Sequence, residues 1–358
     1  MYRVYRRLYA FLRYTPRYDA PDNKETPMRI VLIGVSHWHT PFYLDPALAM
    51  PDVAIVGVSD PDMTRAEPTA ALAKCPAFAD YREMCAKLKP DFAFALGRHC
   101  DMAEEARFLI EQRIPFAMEK PCALNAAEAQ DIANQAAAAG VFAAVPMVFR
   151  YCPIIDTIRE IADKEALQYL MFKFVGGMVN RYYQQDVTWV IDRQTSGGGP
   201  LLNLGIHFVD LCRVLLPGAD LKVTGAMMSN RAEHLTIEDH AVMLMQGGGA
   251  SCMVETGYLY PAPNSVFDMH YSIRTEGHYF SARDNGRLEI VTNDRQRTTR
   301  EMKLTNVFFY PEFCRDTLQR VRDGRPPIAD LADNAAAVAL IEQAYAMSPL
   351  TGPFRTIG

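Results

Sequence analysis

Long apolar runs are missing from this sequence. No stretch approaches the ~20 residues that a bilayer-spanning helix needs, so no membrane helix is expected. Closely spaced cysteines are missing as well. Cys75, Cys85, Cys100, Cys122, Cys152, Cys212, Cys252 and Cys314 lie far apart, with no Cys-x-x-Cys pair. That pattern excludes the disulfide framework of a small secreted domain and a cysteine zinc site, and points to reduced, buried thiols in a cytoplasmic protein. Positive charge is not in excess: 37 Lys and Arg stand against 42 Asp and Glu. Nucleic acid is therefore excluded as the main partner, because phosphate binding needs clustered basic side chains.

What remains is the composition of a globular chain. With 49% hydrophobic residues over 358 positions there is enough to build sizeable cores, and the length suggests two domains. Residues 1–27 differ from the rest, being rich in Tyr and Arg and ending in a polar, Pro-containing linker. Arg6-Arg7 is followed by no apolar core and no small-residue cleavage site, so an export signal is not expected. Leu8, Phe11 and Leu12 suit a short amphipathic helix on a partner subunit or an anionic surface. The simpler expectation is an upstream extension, with Met28 as the natural start.

From Met28 strands and helices alternate. "RIVLIG" reads as a buried strand, a helix follows over 40–49, and "VAIVGVSD" forms a second strand ending at Asp60. "DFAFAL" (91–96) and "PFAMEK" (115–120) read as further strands around a helix that starts near Asp101. Over 125–139, Asn125 and Glu128 have capping-box spacing and Gly140 marks the stop. Short apolar strands alternating with helices predict a doubly wound parallel sheet over 28–148. After about residue 149 the pattern changes. A helix near 153–165 and a strand over 167–177 lead, past a glycine-rich turn and one helix, into a series of strand-like runs. This predicts an α+β domain over 149–358 on an open, largely antiparallel sheet, closed by helices near 310–323 and 331–346.

Chemistry-bearing residues fall at the strand ends. "IGVSHWHTP" follows the first strand, where a dinucleotide-binding domain places its phosphate turn. Of the three expected glycines only Gly34 is present; Ser36 holds the second place and His39 the third. Gly34 keeps the tight turn, Ser36 is small enough for close backbone approach, and His39 requires a rearranged helix–strand packing. The helix N-terminus is expected to offer unpaired N–H groups to a phosphate. Asp60 suits two ribose hydroxyls and would repel a 2′-phosphate, which favours NAD over NADP. His37 and His39, two residues apart, lack a third ligand nearby in sequence, so no metal is expected; with Trp38 they are assigned to loop packing or cofactor contact.

Glu119-Lys120-Pro121 closes a parallel strand at the sheet edge where ligands sit, which places Lys120 near a nicotinamide. In "TSGGGPLLNLGIHFVDL" the glycines let the chain pass close to a ligand, and Pro200 opens a helix. Asn203, His207 and Asp210 then stand at i, i+4 and i+7 on one face. Such a polar stripe on an otherwise apolar helix needs partners.

These residues resemble the glucose-fructose oxidoreductase, inositol dehydrogenase and rhizopine-catabolism (Gfo/Idh/MocA) oxidoreductases. The resemblance spans essentially 28–358. It rests on the turn at Gly34, the Glu-Lys-Pro at 119–121, "FRYCP" at 149–153, "GGGPLLNLGIHFVDL", and the closing Glu312-Phe313 with the last helix. It implies a Rossmann domain binding NAD and a C-terminal domain whose open mixed sheet often forms a homodimer or homotetramer. The family's catalytic lysine falls on Lys120 and its histidine on His207. Asn203 replaces the carboxylate that usually precedes that histidine by four residues. The histidine usual after the fourth strand is absent, its place falling near Met102.

The implied activity is reversible hydride transfer between NAD and a secondary alcohol of a sugar, polyol or inositol-like substrate. His207 is the general base, Lys120 stabilises the alkoxide and Asn203 positions. Arg181, Tyr182, Trp189 and Asp192 are candidate pocket residues. Two rival readings are an NAD-assisted lyase or glycosidase with no net NADH, and a nucleotide-binding regulator without turnover.

Overall fold

The structure is a computed structural model that describes residues 26–261, 267–283 and 286–350; the expected extension up to residue 25, with Leu8, Phe11 and Leu12, lies outside the described residues. The chain forms two compact units. Among the described residues the first comprises the chain up to Pro146 together with Gln185–Val187 and Tyr310–Ala335, and the second the rest. The expected boundary near 148 thus lies close to the main division, but two later segments return to the first unit. Sequence pattern marks elements and not where a returning segment packs.

The first unit runs β1 (Met28–Ile33), α1 (Thr40–Ala49), β2 (Val53–Ser59), α2 (Met63–Ala73), β3 (Ala77–Phe78), α3 (Tyr81–Leu88), β4 (Phe92–Ala95), α4 (His99–Glu111), β5 (Phe116–Met118), α5 (Ala126–Ala139) and β6 (Ala143–Ala144). Its six strands are all parallel, in the order β3-β2-β1-β4-β5-β6. This is the doubly wound arrangement, in which apolar strands such as β4 are buried throughout. The strand order reverses between β1 and β4, so the crevice at their carboxyl ends is the ligand edge. Local signals hold where they were strongest. The Asn125 side chain accepts the Glu128 backbone N–H at 2.9 Å, the Glu128 carboxylate reaches the Leu124 N–H at 3.3 Å, and Gly140 ends α5 at φ +63°.

The second unit contains α6 (Pro153–Ala162), β7 (Leu167–Gly177), α7 (Ile206–Leu215), β8 (Lys222–Ser229), β9 (His240–Gly247), β10 (Ala250–Tyr260), β11 (Asp268–Thr275), β12 (His278–Arg283), β13 (Arg287–Thr292) and β14 (Arg297–Glu301). Its eight-stranded sheet runs β14-β13-β12-β11-β7-β10-β9-β8 and is antiparallel except for the β7–β10 pair. Alternate side chains point to a core face: Leu170, Phe172 and Phe174 of β7 are all buried. Phe172 stacks on Phe208 of α7 with ring centroids 5.2 Å apart, which docks that helix on the sheet. Two helices close the chain, α8 (Tyr310–Arg322) in the first unit and α9 (Leu331–Met347), which starts in the first and ends in the second. No helix among the described residues is long and apolar enough to cross a membrane.

Candidate active site

The turn after β1 is built by close approach. Gly34 has φ +74°, and a Cβ on it would lie 2.6 Å from the Cα of Gly97, beyond the end of β4. No other residue fits there, so the one retained fingerprint glycine is the one the backbone requires. The rest of the turn is held by its own groups. Ser36 N–H donates to Asp60 Oδ2 at 2.7 Å, and Asp62 N–H donates to Asp60 Oδ1 at 2.9 Å. Asp60 is therefore a buried loop anchor, and each of its oxygens keeps acceptor capacity for a ribose hydroxyl.

The expected open N-terminus of α1 is corrected. Thr40 N–H donates to the His37 carbonyl at 3.0 Å, Phe42 N–H to the His39 carbonyl at 2.7 Å, and Pro41 has no N–H. The His39 N–H goes to His37 Nδ1 at 3.0 Å. A pyrophosphate arriving here competes with these internal bonds.

His39, at the third glycine position, turns its ring towards β5. Its Nδ1 lies 2.9 Å from Glu119 Oε1, the Tyr43 hydroxyl donates to the same oxygen at 2.6 Å, and the Tyr310 hydroxyl does so at 3.2 Å. Glu119 Oε2 accepts the Lys120 backbone N–H at 3.1 Å. Burial alone would push this carboxyl up, but His39 and its other neighbours hold it well below the ordinary range. Lys120, 1% exposed, is also shifted down, which for an amine disfavours the charged form. Burial lowers its ammonium to about 8, against the opposing pull of Glu119.

Donor atoms of His37, His39 and Glu119 lie within 4.8 Å of one another, so β5 supplies in space the third metal-ligand type that the sequence spacing lacked. The protons argue against that use. His37 Nδ1 is occupied as an acceptor, and three donors saturate Glu119 Oε1. His37 also stacks on Trp38 at 4.0 Å, and burial keeps its ring neutral. Near Met102, where the family's histidine is absent, the structure shows a buried histidine one turn earlier, His99, at the start of α4. Sequence reading missed it because the residue stood out of register.

In the second unit the polar helix begins with a widened π turn, Leu201–Gly205, before α7 proper. Single widened turns of this kind often mark functional positions. The three polar residues at and beyond this turn take separate partners. Asn203 Nδ2 donates to the Tyr258 hydroxyl at 2.8 Å and the Tyr182 hydroxyl at 3.3 Å. Asp210 instead takes a two-point ion pair from Arg150, Nε to Oδ2 at 2.7 Å and Nη2 to Oδ1 at 2.6 Å. Buried His207 packs beside Phe149 with ring centroids 5.2 Å apart. Phe149 and Arg150, from "FRYCP", thus brace the helix that carries His207.

The glycine turn is also corrected. A Cβ on Gly199 would meet the Glu238 carbonyl oxygen at 2.1 Å, and one on Gly198 would meet the Tyr345 hydroxyl at 2.2 Å. The close approach is to protein. Glu238 accepts the Gly199 and Leu201 N–H groups at 3.0 Å each and the Tyr345 hydroxyl at 2.8 Å, capping the helix start. Of the remaining candidates, Tyr182 is buried, and the Arg181 guanidinium lies 4.6 Å over its ring while donating to its hydroxyl at 2.8 Å. Trp189 is half-buried, and its carbonyl accepts the Thr195 hydroxyl at 2.6 Å. Exposed Asp192 caps the short helix Arg193–Ser196 through the Gln194 N–H at 3.1 Å, a structural duty.

A parallel sheet with a glycine-closed phosphate turn, an acid ending β2 and a buried lysine at the end of β5 defines an NAD-binding Rossmann oxidoreductase. Family comparison agrees. Residues 28–146 match the model described as an oxidoreductase family, NAD-binding Rossmann fold, and residues 171–279 match the GFO/IDH/MocA C-terminal domain. The chain belongs to the Gfo/Idh/MocA oxidoreductase family. Among curated relatives, the trans-1,2-dihydrobenzene-1,2-diol dehydrogenase of Oryctolagus cuniculus is 24% identical over 57% of this chain; the match spans 60% of that relative's length. Among solved structures, an oxidoreductase from Agrobacterium radiobacter in complex with NAD+, L-tartaric acid and magnesium superposes with TM-score 0.78 at 18% identity, covering 90% of this chain and 96% of that one. A levoglucosan dehydrogenase in complex with NADH and levoglucosan gives TM-score 0.78 at 14% identity, covering 90% and 98%. At these identities the solved structures share the fold.

Proposed function

We propose that this chain is an NAD-dependent dehydrogenase acting on a secondary alcohol of a sugar, polyol or inositol-like small molecule. The observation that carries the reading is Lys120: a buried amine at the carboxyl end of β5, at the ligand edge of a Rossmann sheet, with its ammonium lowered to about 8. Neighbours in complex with NAD+ and with NADH and levoglucosan support the choice of cofactor and substrate class.

Gly34, Ser36 and Asp60 fit a dinucleotide. The first permits the turn, the second exposes backbone at the fingerprint position, and the third has acceptor capacity for ribose hydroxyls. The Asp60 charge disfavours a 2′-phosphate, so NAD is preferred over NADP. His37, Trp38 and His39 shape the turn. Bound NAD supplies the hydride acceptor. The protein's part is to take the hydroxyl proton on His207, to stabilise the developing alkoxide with the Lys120 ammonium, and to orient the substrate through Asn203. Arg181, Tyr182 and Tyr258 surround the Asn203 amide and form the proposed sugar-binding group. The exposed Met227 and Leu244 on the eight-stranded sheet suit an interface with a second copy.

The test is a panel of sugars and polyols with NAD and NADP, following absorbance of the reduced cofactor. Lys120→Met and His207→Phe should abolish turnover while NAD binding persists; normal turnover in either overturns the assignment. Asn203, an uncharged amide bonded to the Tyr258 and Tyr182 hydroxyls where the family usually has a carboxylate, favours one second reading, a nucleotide-binding regulator. Tight NAD binding with no oxidation across the whole panel would select it.

A further inference from the structure

Three hydrogen-bond donors from separate parts of the first unit converge on one buried oxygen. Glu119 Oε1 receives the Tyr43 hydroxyl at 2.6 Å from α1, His39 Nδ1 at 2.9 Å from the nucleotide turn, and the Tyr310 hydroxyl at 3.2 Å from α8. Tyr310 also lies 2.9 Å from His39 Nδ1, and its ring packs against those of Phe42 and Tyr43. A carboxyl that is 0% exposed costs several kcal/mol to ionise without such partners. This much donor capacity spent on one oxygen is the signature of a held anion. The next residue in the chain is Lys120, equally buried, whose N–H is bonded to the other oxygen of the same carboxylate.

We propose that His39, Tyr43 and Tyr310 form a cage that fixes Glu119 as the buried counter-charge of Lys120, making all three positioning residues for the amine. The histidine in place of the third fingerprint glycine thereby joins the nucleotide turn to the electrostatics of the proposed catalytic lysine. The inference rests on that reading only for the consequence in turnover; the cage itself is read on the lysine.

The titratable groups facing Glu119 are His37 and His39 from the turn, Tyr43 from α1, Tyr310 and Cys314 from α8, and Lys120 and Cys122 from its own segment. Burial pushes both thiols up, so they stay neutral. Burial also keeps His37 neutral. The Glu119 charge is therefore the main influence that raises the Lys120 ammonium against desolvation. Loss of that charge should lower the Lys120 midpoint by about one unit or more, the usual size of the effect when an opposite charge is removed.

The experiment labels the full chain with 13Cε-lysine and follows the Lys120 resonance, assigned with Lys120→Met, through a pH titration. Glu119→Gln should move the midpoint down from about 8. The pair His39→Leu with Tyr310→Phe should reproduce that shift, because a buried carboxyl stripped of donors takes up a proton. His39→Gln, which restores a side-chain N–H, should return the midpoint towards that of the wild type. Should the pair fail to fold, Tyr310→Phe and Tyr43→Phe each keep the ring. In 13Cδ-glutamate protein each should protonate Glu119 at a higher pH than wild type. A Lys120 midpoint unmoved in Glu119→Gln overturns the proposal, as does one divalent ion per chain in purified protein that is lost with His39→Leu. Shifts as described in a protein that oxidises no alcohol would keep the cage and remove the dehydrogenase reading. An active enzyme with an unmoved midpoint would do the reverse.

Discussion

Replacing Glu105 with glutamine should stabilise the first unit by an amount that grows with pH. Glu105 sits on α4 with 5% exposure, its carboxyl pressed onto Gly97, and Oε2 has no hydrogen-bond partner among the described residues. Burial first, and the charges of Asp101 and Asp60 after it, raise its carboxyl from 4.5 to about 8. Between those values the folded state holds a proton that the unfolded state releases, so stability contributed by this group falls as pH rises. Each unit is worth about 1.4 kcal/mol. The wild-type penalty is thus near zero below pH 4.5, about 3 kcal/mol at pH 7, about 4 kcal/mol at pH 8 and about 5 kcal/mol once the folded carboxyl is fully ionised. Glutamine keeps the shape and the acceptor for the Gly97 N–H but has no proton to lose. Urea denaturation of both proteins at several pH values, read on the transition of the first unit, gives the difference directly. An advantage of equal size at pH 4.5 and pH 8 would refute the reasoning, since it would mean that packing and not protonation separates the two.

Lys120→Met should abolish turnover yet stabilise the fold by about 3 kcal/mol at pH 7, because an ammonium lowered from 10.5 to about 8 costs stability below pH 8. That advantage should shrink as pH rises from 8 towards 10.5, measured by denaturant titration at each pH. For the same reason kcat/KM of the wild type should fall about tenfold per unit above pH 8, since the ammonium is the form that stabilises an alkoxide; a profile still rising at pH 9 would count against that role. Gly199→Ala places a methyl 2.1 Å from the Glu238 carbonyl oxygen, and a loss of about 1–3 kcal/mol is expected in thermal unfolding. Gly34→Ala meets both a positive φ and the Gly97 backbone at 2.6 Å, so NAD binding measured by calorimetry should be lost.

Several features were legible in the chain before any coordinates. The α1 span, the β7 span, the cap and stop of α5 and the lysine ending β5 all follow from local rules: apolar periodicity, side-chain capping and the position of polar residues at strand ends. Those rules act within a few residues, which is the range over which sequence spacing and spatial distance coincide. The glycines were legible as necessary but not for their reason. Gly198 and Gly199 make room for Tyr345 and Glu238, which lie far along the chain.

What the amino-acid order determined by itself is the class: a parallel nucleotide-binding sheet, a largely antiparallel second sheet, and the residue types that carry chemistry. What only the tertiary structure decided is the partnership of those residues. Asp210 found its partner in Arg150, 60 positions away in the chain, and Asn203 found its partners in Tyr258 and Tyr182. Three groups separated by up to 271 positions met at Glu119, and no periodicity encodes such a meeting. A buried charge must be balanced by whatever the fold brings within hydrogen-bond reach.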